Sequence, residues 1–290
     1  MNTNVTFVGF GALEIGRDWG MGADTQRPSE ENAGVVLNTV LDAGINLLDS
    51  ARAYHASEER IGKYVAHRRN EYVLATKCGE HSEEPHTYYD FSYKAIADSI
   101  DKSLMLLKAD VVDLMQIHFG PDPEKTLDDG ETVGAMKDAV KAGKVKYLGA
   151  SIDGDLATRC INSGDFDVIQ LGYNLMHQGS GANIELAAEK GMGVFIRSPL
   201  GNGLFTPRII DNISLLNEHE RPKIEKLLAL ANNDIDTYMA IALNFLYNNK
   251  GISSVLLGTK KPEHVKANIA LLEKEISADT MAKAQMIIDG

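Results

Sequence analysis

Four residues able to bind or transfer a proton stand close to the ends of short apolar segments. Asp49, Lys77 and His118 each follow such a segment directly, and Tyr54 lies five residues beyond Asp49. A free phenol has a pKa of about 10, too high for an efficient acid at neutral pH. A neighbouring ammonium group stabilises the phenolate and lowers that pKa, and a carboxylate keeps the lysine charged and in place. The set therefore predicts a site in which Tyr54 protonates a carbonyl oxygen and His118 orients that oxygen or relays the proton. A nicotinamide cofactor would have to supply the hydride.

These side chains can meet only if the fold brings the ends of separate strands together. Short apolar segments alternate with stretches of helical period, which is typical of βα units and a parallel sheet. The predicted strands are Val5–Gly9, Ile45–Leu48, Tyr72–Thr76, Val111–Ile117, Lys144–Gly149, Asp167–Leu171, Gly193–Ile196 and Ser253–Leu257. Eight strands predict a single (β/α)₈ TIM barrel over residues 1–290, with the strand ends converging on its mouth. A doubly wound open sheet has the same alternation and stays the alternative.

The segments between the strands carry apolar residues three or four positions apart, as amphipathic helices do. The predicted helices are Glu30–Asp42, Glu58–Arg69, Ser92–Leu107, Thr132–Lys141, Leu156–Ser163, Asn183–Lys190, Pro262–Glu275 and Asp279–Ile288. The stretch Gly201–Asp236 breaks this rhythm and contains an extra helical segment, Arg221–Asn232. Because it follows the seventh strand, it lies on the C-terminal face of a barrel, where we expect it to form a lid.

Composition narrows the class of protein. The formal net charge of −12 argues against a nucleic-acid partner, which needs a basic face. No apolar stretch reaches the roughly 18 residues of a membrane span, and the N-terminus lacks the pattern of a signal peptide. Two cysteines form no disulfide framework. We expect a cytoplasmic protein with a small-molecule partner and no membrane association; its oligomeric state is not predicted.

Three other motifs are interpreted as structural. Gly9-Phe10-Gly11 begins like a dinucleotide fingerprint, but Glu14 stands at its final glycine position. His81, Glu83, Glu84 and His86 resemble metal ligands; we predict a solvated loop and no metal, because no wider ligand set accompanies them. Cys78 follows Lys77, so strand alternation turns its thiol toward the helices and predicts core packing.

Several segments resemble the signatures of the aldo-keto reductase family. The matching residues are Gly44–Ala51, Tyr54, Ser57–Glu58 and Gly62 for the first signature, Val112–His118 for the segment that carries the family's histidine, and Leu257–Lys260 with Asn268 for the C-terminal cofactor segment. The similarity runs from about Phe7 to Leu272 with the motifs in family order. This agreement is far more specific than any one motif.

The resemblance implies an NAD(P)H-dependent carbonyl reductase in which Tyr54 is the general acid, Lys77 and Asp49 tune it, and His118 orients the substrate. The implied cofactor-binding residues are Ser151 and Gln170 at the nicotinamide carboxamide, Arg197, Ser198, Leu200, Gly201 and Leu204 along the ring and pyrophosphate, and Gly258, Thr259, Lys260, His264 and Asn268 toward the adenosine 2′-phosphate and adenine. Trp19, His55 and Phe119, with Tyr88 or Tyr89, are candidates to line the substrate pocket. The expected cofactor is NADPH, with NADH as the alternative.

The chain departs from the family pattern at several positions. Ile152 stands where an asparagine usually binds the carboxamide, and Arg197 replaces a frequent aromatic residue. His264 and Ala267 stand where arginine and glutamate are common, and His55 replaces the usual glycine. These departures keep a second hypothesis open, in which the chain is a regulatory or redox-sensing protein that binds the cofactor but catalyses little turnover. A barrel hydrolase or lyase using Asp49 and His118 is a third possibility, but it leaves the cofactor segment unexplained.

Overall fold

The computed structural model describes residues 4–20 and 25–290, and these contain a closed barrel of eight parallel strands. Its strands are β1 (Val8–Gly11), β2 (Leu47–Asp49), β3 (Val73–Cys78), β6 (Val112–His118), β7 (Val145–Ser151), β8 (Val168–Gly172), β9 (Gly193–Arg197) and β10 (Ser254–Leu257). They follow one another in this order around the barrel, and β10 pairs with β1 to close it. The (β/α)₈ prediction is confirmed, and the open sheet is excluded.

The remaining two strands, β4 (Glu80–Glu83) and β5 (His86–Tyr89), form an antiparallel hairpin directly after β3. The prediction of a loop here was wrong, although Glu83, Glu84 and His86 are exposed to solvent as predicted. His81 is 8% exposed and stacks on Tyr88, its partner across the hairpin. The segment carries almost no aliphatic residues, so its pairing left no apolar alternation in the sequence.

Strand alternation separates two apolar layers. One face of each strand fills the barrel interior, and the members of this layer are Leu47, Val73, Ala75, Leu114, Val168, Phe195 and Leu256. The other face packs against the surrounding helices in a larger core. Alternate residues of a strand share a face. Toward the C-terminal ends of the strands, polar side chains such as Asp49 and Lys77 therefore occupy the positions that face the barrel interior. The alternation that builds the core therefore also positions the site.

Helices surround the barrel. Among the described residues they are α1 (Leu13–Gly16), α2 (Glu30–Asp42), α3 (Ser57–Tyr64), α4 (Tyr93–Leu107), α5 (Pro123–Asp129), α6 (Glu131–Lys141), α7 (Gly154–Ser163), α8 (Gly181–Glu189), α9 (Ile209–Asn212), α10 (Glu220–Leu230), α11 (Ile235–Tyr247), α12 (Pro262–Glu273) and α13 (Ala278–Asp289). Short 3₁₀ turns cover Ala66–Glu71, Gly201–Gly203 and Ile213–Leu215. Within the described ranges, no helix is long and apolar enough to cross a membrane.

Two predicted boundaries differ from the structure by three residues or more. The first strand begins at Val8 rather than Val5, because its pairing with β10 starts at the register Val8↔Val255. The helix predicted over Glu58–Arg69 ends at Tyr64, since Val65 leaves helical geometry and a 3₁₀ turn follows.

Helix α11 was missed because it is apolar on more than one side. Its residues Met239 and Leu243 face the core around the barrel, whereas Tyr238 and Ile241 face a second apolar cluster. A helix buried between two cores loses the one-sided pattern on which helix prediction depends.

The extra helical segment predicted within Gly201–Asp236 is α10. Its residues Ile224, Leu227 and Leu228 are buried in the second cluster, together with Tyr238 of α11 and Ile288 of α13. This helix therefore belongs to a packed core beside α11 and α13. The lid role of Gly201–Asp236 stays a prediction.

Candidate active site

The four residues predicted to carry the chemistry lie together at the C-terminal end of the barrel. The Lys77 ammonium donates hydrogen bonds to Asp49 Oδ2, to the Ser50 carbonyl oxygen at 3.0 Å and to Tyr54 Oη at 3.5 Å. The His118 ring meets the Tyr54 ring edge-to-face, with 6.0 Å between centroids. Asp49 and Lys77 are only 3% and 1% exposed, so this ion pair is shielded from water.

Two glutamine side chains complete the surroundings of Asp49. Gln116 and Gln170 each donate from Nε2 to Asp49 Oδ1, at 2.8 and 3.2 Å. Gln170 also donates to Gln116 Oε1 at 3.1 Å. Sequence reasoning gave Gln116 no role, although its place two residues before His118 on the same strand face was the available signal. The amides fix the carboxylate orientation, and the carboxylate in turn fixes Lys77.

A buried polar network anchors the loop that carries Tyr54. Glu58 has no exposed surface; it accepts a hydrogen bond from Thr76 at 2.7 Å and pairs with Arg52 at 2.9 Å. Ser57 Oγ lies 2.9 Å from Ser50 Oγ and donates to the Ala12 carbonyl oxygen. These contacts tie the loop to β3 and to the segment after β1, so the Tyr54 hydroxyl is held at a set place.

The electrostatics of Tyr54 differ from the expectation in sign. Burial raises the pKa of Tyr54, and the opposing effect of the Lys77 ammonium does not cancel it, so the net shift is upward. For Lys77, burial lowers the pKa, but Asp49 and Tyr54 more than offset this, so its pKa is raised. The phenol therefore stays protonated and the ammonium stays charged across the neutral range. Lys77 does lower the pKa of Tyr54 as predicted, but desolvation of the phenolate outweighs this effect, so the expected net lowering was wrong.

The predicted carboxamide residues adjoin this cluster. Ser151 ends β7 and donates from Oγ to Gln170 Oε1 at 3.3 Å. Since Gln170 Nε2 reaches Asp49, an unbroken chain of side chains joins the predicted nicotinamide site to the Lys77–Tyr54 pair. The Ile152 side chain adds no polar group to this set of connected side chains. Its backbone N–H donates to the Gln170 carbonyl oxygen at 3.2 Å.

Arg197 ends β9 and is fixed by an ion pair with Asp153, which also accepts the backbone N–H of Gly172 at 2.7 Å. An added Cβ at Gly172 would lie 3.1 Å from Arg197 Nη1, so a larger residue there would crowd the guanidinium. Sequence reasoning missed Asp153, whose position two residues beyond Ser151 gave no distinguishing signal. The guanidinium is therefore held at the strand ends, beside the predicted cofactor groove.

The segment after Arg197 makes a tight turn. Ser198 and Gly201 both have positive φ, and the Ser198 hydroxyl donates to Asn202 Oδ1 at 2.8 Å. Leu204 is buried and Leu200 half-buried, so the turn is pinned to the second apolar cluster.

The predicted adenosine segment follows β10. Gly258 is exposed, and an added Cβ would lie 3.2 Å from the Gly11 carbonyl oxygen. Thr259 is buried, with Oγ1 3.4 Å from His264 Nδ1, and Lys260 Nζ donates to the Gln26 carbonyl oxygen at 2.7 Å. Asn268 is half-buried on α12. Thr259, Lys260 and His264 thus lie together, and Lys260 links this segment to the one after β1.

The predicted pocket residues are only partly brought together. His55 has a positive φ, and its Nδ1 lies 2.7 Å from Ser82 Oγ of the hairpin, which places it between Tyr54 and β4. Trp19 is 46% exposed, and Phe119 packs against the core between sheet and helices. The hairpin also carries Tyr88 and Tyr89, and the Tyr89 ring lies against Gly120, just beyond β6. The pocket roles of these residues stay predictions.

Cys78 lies where alternation predicted. It is fully buried in the core outside the barrel, and its Sγ approaches the Gln116 carbonyl oxygen at 3.6 Å. Burial raises the pKa of the Cys78 thiol to about 12, so this thiol is not an activated nucleophile.

Comparison with known proteins agrees with this geometry. The model of the Aldo/keto reductase family matches residues 8–289. L-galactose dehydrogenase of Arabidopsis thaliana is 28% identical over 306 residues, covering 98% of this chain and 91% of that protein. The NADH-specific methylglyoxal reductase of Escherichia coli is 25% identical over 300 residues, covering 92% of each. Among solved structures, the holo form of an aldo-keto reductase from Bacillus halodurans superposes with a TM-score of 0.79 at 25% identity, covering 98% of this chain and 92% of that one.

The chain therefore belongs to the aldo/keto reductase family. It is an oxidoreductase of that family, whose members use nicotinamide cofactors.

Proposed function

We propose that this protein reduces an aldehyde or ketone to an alcohol with a hydride from NAD(P)H, and that Tyr54 is the general acid. The observation that carries the proposal is the continuous set of contacts from Ser151 through Gln170 and Asp49 to Lys77 and Tyr54. A hydride donor bound at one end of this set would lie beside a proton donor at the other. Neither hydrolysis nor elimination requires that pairing.

The residues present suit a nicotinamide dinucleotide. The Ser151 hydroxyl and the Gln170 amide offer hydrogen-bonding groups for a carboxamide, Arg197 a planar cation beside the ring, and Lys260 a cation near a phosphate. Ser198, Leu200, Gly201 and Leu204 would follow the pyrophosphate. When bound, the cofactor supplies the hydride, which forms the new C–H bond at the carbonyl carbon.

The protein's own residues donate the proton and stabilise the anion that its loss leaves behind. As the carbonyl C=O π pair moves onto oxygen, that oxygen takes the proton from Tyr54 Oη. The phenolate left behind is stabilised by the Lys77 ammonium, which Asp49 keeps in place. The raised pKa of Tyr54 keeps the proton on the phenol until the oxygen becomes basic enough to take it.

A fluorescence titration of the purified protein with NADPH and with NADH, followed by addition of 4-nitrobenzaldehyde, tests the proposal. We expect binding of at least one nucleotide and its oxidation when the aldehyde is added. Binding without turnover on a panel of aldehydes and ketones would favour the regulatory alternative. Failure of both nucleotides to bind would contradict the proposal.

Lys260→Ala separates the two cofactors. If Lys260 binds the 2′-phosphate, its loss should weaken NADPH binding about tenfold and leave NADH binding nearly unchanged, because only NADPH carries that group. Lys261→Ala, one residue along and also a surface lysine, is the matched control. Equal weakening of NADPH binding and NADH binding in Lys260→Ala would show that Lys260 does not bind the 2′-phosphate. The NADH-specific relative from E. coli is the reason to measure both nucleotides.

Gly16→Ala tests whether the placement of the Tyr54 loop matters for turnover. An added Cβ at Gly16 would lie 2.1 Å from the Tyr54 carbonyl oxygen and 2.5 Å from Ser57 Cβ, so the loop must move. We expect kcat to fall about tenfold or more, since displacements near 1 Å can cost that much. The control is Gly134→Ala, where the nearest atom, Tyr93 Cδ2, is 4.0 Å away. An unchanged kcat in a folded Gly16→Ala protein would mean that the loop tolerates displacement.

A further inference from the structure

One carboxylate close to His118 has no role in the reaction proposed above. Glu80 begins the hairpin directly after β3 and is 7% exposed. Its Oε2 lies 2.9 Å from His118 Nδ1, within ion-pair distance, although the two groups are not aligned as a hydrogen bond. A carboxylate is seldom buried to this degree without a partner that stabilises its charge.

The hairpin and its neighbours keep this carboxylate ionised. Thr87 Oγ1 donates to Glu80 Oε1 at 2.7 Å, and Arg17 Nη1 lies 4.0 Å from the same oxygen. Tyr89 stands opposite Glu80 in the hairpin register. Burial raises the pKa of Glu80, but His118, Thr87 and Arg17 together outweigh it, so the net shift is downward.

The charged and titratable groups around His118 come from four directions. Glu80 and its neighbour Tyr89 lie on the hairpin, and Tyr54 meets the imidazole from the loop after β2. Lys77 of β3 and Asp49 of β2 lie beyond Tyr54 as a closed ion pair, and Arg17 reaches Glu80 from the segment after α1. Lys77 is closely paired with Asp49, whereas Arg17 approaches Glu80 only to 4.0 Å, so the Glu80 carboxylate, 2.9 Å from Nδ1, is the charge that acts most directly on His118.

We infer that Glu80 is a positioning residue for His118, and that its carboxylate, 2.9 Å from Nδ1, favours the ring form that carries a proton on both nitrogens. Nδ1 is buried, whereas a quarter of the His118 side chain is exposed, so a ligand would reach the ring at its other polar atom, Nε2. A protonated ring presents an N–H there, whereas a neutral ring with its proton on Nδ1 presents only a lone pair. Coupling between two titrating groups is reciprocal, so an imidazolium that stabilises the Glu80 carboxylate is itself stabilised by it.

This inference rests on the proposed carbonyl reduction for its catalytic meaning. His118 would donate a charged hydrogen bond to the substrate oxygen while Tyr54 delivers the proton. An anion next to His118 favours the cationic ring, so this donor persists to higher pH than it would without Glu80. As pH rises and the ring loses its proton, the donor is lost and reduction slows.

The experiment is a histidine NMR titration of the whole protein labelled with ¹⁵N in its imidazoles. The variants are Glu80→Gln, Glu80→Asp and Glu83→Gln, and His118→Asn identifies the signals. Glu83 lies on the same strand but is exposed, so Glu83→Gln removes the same charge without touching His118. We expect the His118 midpoint to fall by about one pH unit or more in Glu80→Gln, less in Glu80→Asp, and not at all in Glu83→Gln.

An equal midpoint in the wild type and in folded Glu80→Gln would overturn the inference, and so would a drop in Glu83→Gln of the same size. If Glu80→Gln does not fold, Glu80→Asp decides, because it keeps the charge in the hairpin but draws it away from the imidazole. The readout needs no turnover, so it stands even where the proposed reaction fails. With an active enzyme, the pH at which kcat/KM falls to half should decrease by the same amount in Glu80→Gln.

Discussion

Tyr54→Phe is expected to lower kcat for aldehyde reduction by at least about a thousandfold, within the range that positioned general acids contribute. The phenyl ring keeps the edge-to-face contact with His118, so the shape of the site changes little. Only the hydroxyl is lost, and with it the proton that the substrate oxygen must receive. The hydroxyl touches Lys77 at 3.5 Å and none of the residues proposed to bind the cofactor, so nucleotide Kd values should stay within twofold of the wild type.

Single-turnover oxidation of prebound NAD(P)H by 4-nitrobenzaldehyde measures this loss without interference from product release. The matched control is Tyr247→Phe, which removes an exposed tyrosine hydroxyl from α11, keeps the ring contact with Phe7 and should leave kcat within about threefold of the wild type. Turnover of Tyr54→Phe close to wild type would reassign the proton donor, with His118 the next candidate. Loss of nucleotide binding in Tyr54→Phe would show that the variant reports on site assembly rather than on proton transfer.

Much of the barrel and of the proposed tetrad could be predicted because both follow from strand alternation. Apolar segments of the right length gave all eight barrel strands, and the residue at or just beyond each segment gave Asp49, Lys77 and His118. The same rule placed Cys78 on the opposite face. These features are local, because each depends only on the order of apolar and polar residues along one strand.

The features that were not predicted depend on residues distant in the sequence that pack against a strand or helix. The hairpin was not predicted because its pairing buries His81 and Glu80 rather than aliphatic side chains. α11 was invisible because two cores bury it. The sign of the Tyr54 shift depends on how deeply the barrel mouth desolvates the phenol, which no spacing encodes. The contact of Glu80 with His118 joins the hairpin that follows β3 to the end of β6, and the two residues are 38 positions apart in the chain.

Lys77→Met should reduce the free energy of unfolding by roughly 3–5 kcal/mol, the usual result of removing one member of a buried ion pair. Lys77 is 1% exposed, and its loss leaves the Asp49 carboxylate, 3% exposed, without its cation. The hydrogen bonds from Gln116 and Gln170 remain, but neutral amides cannot replace a full positive charge. Urea denaturation followed by far-UV circular dichroism measures the change.

The double variant Asp49→Asn/Lys77→Met separates an unpaired charge from a loss of packing. If the penalty is the buried carboxylate, removing that charge as well should restore much of the lost stability, while reduction stays at least about a hundredfold below wild type because the phenolate has no cation. Lys63→Met breaks an ion pair with Glu30 in which both side chains are nearly half exposed, so its stability should match the wild type within error. Equal stability of the single and double variants would place the penalty in packing. Asp49 would then support Lys77 by geometry alone, and the charge that holds the ammonium beside Tyr54 would have to come from elsewhere in the barrel mouth.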